Sequence, residues 1–166
     1  MKNKEKMIQA AMEGYYKTMN QLITKSFHDL KNQEIKIIES KKTIFSADAK
    51  KFKDFLRLRV NYNLRNYPDN FLKGLFSHEL GHFEYFLTLD KWDLFIYGIK
   101  YNFSEKYKKR IEKETDINAI KKGYAQELYA QRKFKWNSKN KNTEKLKSVY
   151  LSPNEIKEIS IKLKKW

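Results

Sequence analysis

The segment from Asn66 to Leu87 constrains this chain more than any other. Asn66-Tyr67-Pro68-Asp69-Asn70 reads as a turn leading into a helix, because proline fits a first helical turn and Asp69 suits its positive end. Onward to Leu87, the residues Leu72, Phe76, Leu80, Phe83 and Leu87 recur at spacings of three and four, a core-facing stripe. His78 and His82 share a neighbouring face with Phe71 and Leu75. Side chains four apart on a helix lie one above the other, so these two imidazoles can meet one metal ion. Glu79 is offset by one residue, near such an ion but not aimed at it, where a general base for an activated water is needed.

Two histidines leave a metal site incomplete, since a catalytic zinc usually takes three protein ligands and keeps one position open. The chain has no cysteine, so the remaining ligand must be His or carboxylate. Of its three histidines only His28 lies outside the pair, and it reads as a surface or boundary residue of an N-terminal helix. The segment His78-Glu79-Leu80-Gly81-His82 fits HExxH. Its extension HExxHxxGxxH is excluded, because Tyr85 and Thr88 stand at the Gly and final His positions. A glutamate from a second helix is the other common solution. The stretch Glu112-Lys113-Glu114-Thr115-Asp116 offers Glu112 as a ligand and Asp116, four residues on, to accept the outer ring N–H of a ligand histidine. Glu114 is the rival ligand, but it points about 200° away from Glu112 and has no such partner. The plain alternative is a solvated helix face on which Lys108 and Lys109 supply ion pairs.

The remaining elements suggest an α+β chain. Residues 4–31 read as a helix through Ile8, Met12, Tyr15, Met19 and Ile23. A strand-like region spans 34–46, broken near Lys41-Lys42. From Phe55 to Tyr62 the chain alternates, with Leu56, Leu58, Val60 and Tyr62 on one side and Arg57, Arg59 and Asn61 on the other, as a half-buried strand does. That strand is either interior to a sheet or an edge along which a peptide can be added. A shorter helix is expected over 91–100, and a long one over 105–134 capped by Ser104. Beyond Lys135 come a polar linker and a new helix start at Ser152-Pro153-Asn154-Glu155, with the residues of a capping box. The expected organisation is a compact unit over 1–134, including the N-terminal helix, and a basic linker with a helical tail over 135–166.

HELGH followed by ExxxD resembles the gluzincins. The HtpX-like membrane proteases carry a comparable ExxxD followed by small residues, matched here by Asp116 and Ala119 in EKETDINAIKKGYAQELY. The small, soluble minigluzincins look most similar. The resemblance covers roughly 55–129 and implies a small, about three-stranded sheet packed on the zinc helix, with the glutamate helix beside it. It implies His78, His82 and Glu112 as ligands of one Zn2+ per chain, Glu79 as general base and Asp116 as the outer partner. It implies a zinc metallopeptidase acting on peptide or protein substrates, possible latency included: the tail after Trp136 either folds across the cleft or simply docks on the fold. A donor to the developing oxyanion is expected from Tyr124, Tyr129 or Arg132.

A net charge of +16 permits contact with nucleic acid or acidic proteins. No nucleic-acid-binding motif accompanies it, so it reads as a solvated Lys-rich surface. A non-catalytic, basic zinc-containing binding module is the alternative to the enzyme. The N-terminus lacks the apolar core of a signal peptide, and no apolar run approaches a membrane span, which suggests a soluble, cytoplasmic protein. Self-association is left open.

Overall fold

The computed structural model describes residues 2–40, 47–137 and 142–166. Among these, helix α1 (Lys2–Lys25) precedes a short sheet of β1 (Ile35–Ser40), β2 (Ala47–Lys51) and β3 (Leu56–Asn61). Helices α2 (Asp69–Leu87), α3 (Lys91–Phe103), α4 (Glu105–Lys121), α5 (Ala125–Trp136), α6 (Asn142–Val149) and α7 (Pro153–Lys162) follow. The α+β class with a small sheet is therefore as expected. No helix among the described residues is long and apolar enough to cross a membrane.

The sheet order is β1-β3-β2, with β1 parallel and β2 antiparallel to β3. Alternation in β3 does what the sequence suggests: Leu56, Leu58 and Val60 are buried while Arg57 and Arg59 face outward. Arg59 donates to Asp48, its direct partner across the ladder, at 2.6 Å. One alternative is decided and one expectation changes here. β3 is the central strand, so it cannot be the edge for an added peptide. Tyr62 is exposed because it starts a 3-10 turn, Tyr62–Asn66, in which the Asn61 side chain accepts from Asn63 N–H. The break at Lys41-Lys42 and the polar linker at 138–141 lie outside the described residues.

α2 runs over the span its sequence predicts and is buried on nearly every side. Phe76, Leu80 and Phe83 are fully buried, whereas Leu72 and Leu87, at the ends of the stripe, are half-buried. Tyr15, Met19 and Leu22 of α1 and Leu56, Leu58 and Val60 of β3 pack into the same core. Two glycines allow α2's close neighbours. A Cβ on Gly74 would lie 2.2 Å from the Glu127 carbonyl oxygen of α5, and one on Gly81 would lie 3.0 Å from Thr115 Cγ2 of α4. Gly74→Ala is therefore expected to lower unfolding stability by about 1–3 kcal/mol. Gly98→Ala in α3, with nothing within 4 Å of the new Cβ, is the control and should be neutral or slightly stabilising. Urea unfolding of the two variants checks this; equal midpoints would mean α2 and α5 can separate freely.

The long helix expected over 105–134 is two helices. α4 starts at Ser104, whose side chain accepts from Tyr107 N–H, and stops at Lys121. Gly123 then adopts φ 94°, a left-handed conformation that glycine adopts readily, and α5 departs in a new direction. In the tail, Ser152 and Glu155 form the reciprocal capping box, and Lys113 of α4 donates to Glu155 at 2.6 Å. Leu151 and Ile156 close a second apolar cluster with Ala119, Ile120, Ala125 and Leu128, so α7 is docked on α4 and α5.

Candidate metal centre

Three buried side chains from two helices converge beside the sheet. His78 and His82 come from α2 and Glu112 from α4, and their ligand-type atoms lie close enough together to bind a metal ion. Glu112 Oε2 is 3.0 Å from His78 Nε2 and 3.3 Å from His82 Nε2, and the two Nε2 atoms are 3.2 Å apart. A tetrahedral ion with bonds of about 2.0–2.1 Å separates its ligand atoms by about 3.3 Å. The triangle thus has the edge lengths such an ion needs, with the imidazole planes 87° apart.

The outer contacts orient each ligand. His78 Nδ1–H donates to Asp116 Oδ1 at 2.8 Å, which leaves Nε2 for the site. Asp116 is fully buried; its Oδ1 also accepts from Arg132 at 2.6 Å and its Oδ2 from the Leu151 backbone N–H at 3.0 Å. Thr115 Oγ1 donates to the Ile111 carbonyl at 2.8 Å and lies 3.5 Å from His82 Nδ1, so its free lone pair faces that ring N–H. The Tyr101 phenol donates to Glu112 Oε1, leaving Oε2 turned toward the imidazoles.

Electrostatics follow the same arrangement. Burial pushes the Glu112 carboxyl up, but the His82 charge and the hydrogen bonds from both imidazoles outweigh it and hold it well below the carboxylate range. Burial likewise raises Asp116, and the Arg132 charge with the His78 hydrogen bond overcomes this and lowers it. For His78, burial disfavours the charged ring, yet the Asp116 and Glu112 contacts win and raise it to about 9. Glu79 is raised, mainly by burial, with His78 and His82 opposing. A buried carboxylate raised in this way is a better proton acceptor than an exposed one.

A cavity of about 270 Å³ opens on the triangle. Its walls include Glu79, Ala47–Ala49 of β2, Tyr97 and Tyr101 of α3, and Tyr150. Tyr150 meets His78 edge-on with ring centroids 5.5 Å apart, and the Arg132 guanidinium lies 4.4 Å from the Tyr150 ring centre.

The structure brings together His78, Glu79, His82, Glu112 and Asp116, but not all the other candidates. Tyr124 is turned toward α1, stacked on Phe27 and donating to Ser26 Oγ at 3.2 Å, because the break at Gly123 redirects the chain. Tyr129 packs against Trp166 at 5.3 Å and lines a separate depression. Arg132 is close, but it is committed to Asp116 and Tyr150 behind the His78 ring. Glu114 is exposed and 4.0 Å from Arg110, and His28 is exposed in a 3-10 turn after α1. Sequence reasoning missed Tyr101, Tyr150 and Thr115. Thr115 carries a signal, sitting three residues after Glu112 on the same face; Tyr101 and Tyr150 reach the site only through tertiary packing. Comparison with protein-family models, with curated proteins and with solved structures finds no match. The likeness to gluzincins therefore rests on the motif residues themselves.

Proposed function

We propose that this chain is a zinc-dependent metalloendopeptidase of gluzincin type. The carrying observation is the triangle of His78 Nε2, His82 Nε2 and Glu112 Oε2 with edges of 3.0–3.3 Å, backed by Asp116. Two imidazoles and one carboxylate with no thiol are the donor set of a hydrolytic zinc site with an open position. Zinc held by His78, His82 and Glu112 would supply a water acidified to a pKa of about 7 and a Lewis acid for a substrate carbonyl. Glu79, in the cavity wall beside the triangle, would accept the proton of the water that attacks the carbonyl carbon and return it to the amide nitrogen as the C–N bond breaks. Tyr124 and Tyr129 lie outside the cavity and are not placed to meet a developing oxyanion; the phenols that line it are Tyr97, Tyr101 and Tyr150, of which Tyr101 already gives its O–H to Glu112. β2 is a sheet edge whose Ala47–Ala49 border the cavity, which supports an extended peptide substrate laid along it.

The same tail that closes the second apolar cluster places Tyr150 against His78, which supports a latent enzyme obstructed by its own C-terminal segment. Removing residues from Asn137 onward would also strip Leu151 and Ile156 from that cluster, so Tyr150→Ala is the cleaner test. Zinc-loaded wild type and Tyr150→Ala are incubated with an unfolded protein. Cleavage is expected in both, several-fold faster in the variant, and abolished by a chelator until zinc is restored. An unchanged or slower variant removes the latency; no cleavage by either protein rejects the hydrolase. The alternative, a non-catalytic basic zinc module for nucleic acid or acidic proteins, draws on the +16 charge but leaves the buried Glu79 without a task.

A further inference from the structure

α3 carries an apolar stripe that the metal site does not use. Trp92, Phe95, Ile99 and Phe103 are 67%, 57%, 46% and 86% exposed. At about 100° per residue they fall within about 80° of arc on one helix face. Trp92 and Phe95 stack with centroids 5.6 Å apart. The opposite face holds the helix on the fold: Tyr97 packs on Phe86 at 5.3 Å and Tyr101 reaches Glu112. No α3 residue is fully buried, so the helix lies on the surface as a ridge. Exposed Lys91 and Lys100 project on either side of the stripe, and exposed Lys106, Lys109 and Arg110 follow on α4, which packs against α3; these cations outnumber the exposed Asp90, Asp93 and Glu105 that stand among them.

We infer that this face of α3 docks the protein on an anionic lipid surface, with the four apolar side chains entering the interface and the flanking cations meeting the headgroups. An amphipathic helix with aromatic residues on one face and Lys or Arg beside it lies in the plane of a bilayer, and anionic lipid strengthens the contact. Charge decides against a second copy of the chain, since each copy carries +16 and would bring the same lysines together. Size decides against a folded acidic protein: four partly exposed side chains on one ridge supply well under the about 800 Å² each partner gives to a stable interface. A bilayer needs no complementary groove and accepts a ridge. Docked this way, the metal cavity on the other side of α3 sits about one helix diameter, roughly 10 Å, from the membrane. The inference is independent of zinc and of peptide hydrolysis.

The test is co-sedimentation of the full-length protein with vesicles of phosphatidylcholine alone and of phosphatidylcholine mixed with phosphatidylglycerol. Trp92→Ser/Phe103→Ser is run in parallel; both side chains are exposed, so the fold is unaffected, which circular dichroism checks. Binding to the mixed vesicles is expected, with partitioning reduced at least about tenfold in the double variant. Equal binding by wild type and variant would assign the attraction to the general Lys-rich surface and overturn the role of α3. No vesicle binding, with self-association or retention on an acidic polypeptide that the double variant loses, would reassign the face to a protein partner and overturn the inference.

Discussion

Glu79→Gln is expected to bind zinc as wild type does and to lose hydrolysis by about 10²–10⁴-fold. Gln is close in shape and stays neutral, so the buried position and the cavity wall are kept. What disappears is the proton acceptor. Glu79 is 6% exposed and lies beside the His78–His82–Glu112 triangle without belonging to it. Burial raises the Glu79 carboxyl, which makes it a stronger proton acceptor as charge develops on the attacking water. Rates and zinc content measured on the same preparations check this. Loss of zinc in Glu79→Gln would make Glu79 a ligand, and unchanged hydrolysis would remove it from the mechanism.

Asp116→Ala carries the largest expected effect on stability. Asp116 joins three elements: it accepts from His78 of α2, from Arg132 of α5 and from the backbone of Leu151 at the start of the tail. Arg132 is 2% exposed, and without Asp116 its charge remains in the interior with no carboxylate partner. Removing one member of a buried ion pair costs about 3–5 kcal/mol, because the other charge stays desolvated. The same change frees the His78 ring to rotate, and loss of such an outer partner lowers metal affinity about 10–100-fold. Urea unfolding of the metal-free proteins and competition with a zinc chelator read the two effects separately. A variant as stable as wild type would mean that Arg132 is not held by Asp116.

Some of this was legible in one sequence because the signals are local. The period of α2, the alternation of β3, the cap at Ser104 and the capping box at Ser152 each involve residues within a few positions of one another, and each forms where the pattern places it. Glu112 and Asp116 were readable for the same reason, as a four-residue spacing on one helix. Three features were not local. The order β1-β3-β2 puts the best-patterned strand in the centre, and alternation does not distinguish a central strand from an edge strand with one buried face. The turn at Gly123 lies within a stretch of good helix formers, and it carries Tyr124 and Tyr129 away from the candidate site that a continuous helix would point them toward. Tyr101 and Tyr150 reach Glu112 and His78 from a separate helix and from the tail, and nothing in their own neighbourhoods marks them.

The most direct measurement is zinc per chain in purified wild type beside Glu112→Ala. Close to one zinc per chain is expected in wild type and a clear loss in the variant, since two imidazoles alone would leave the ion short of a third protein ligand. Wild type without zinc even after resupply would contradict the metal centre itself, and zinc retained equally by both proteins would contradict Glu112 as its third ligand.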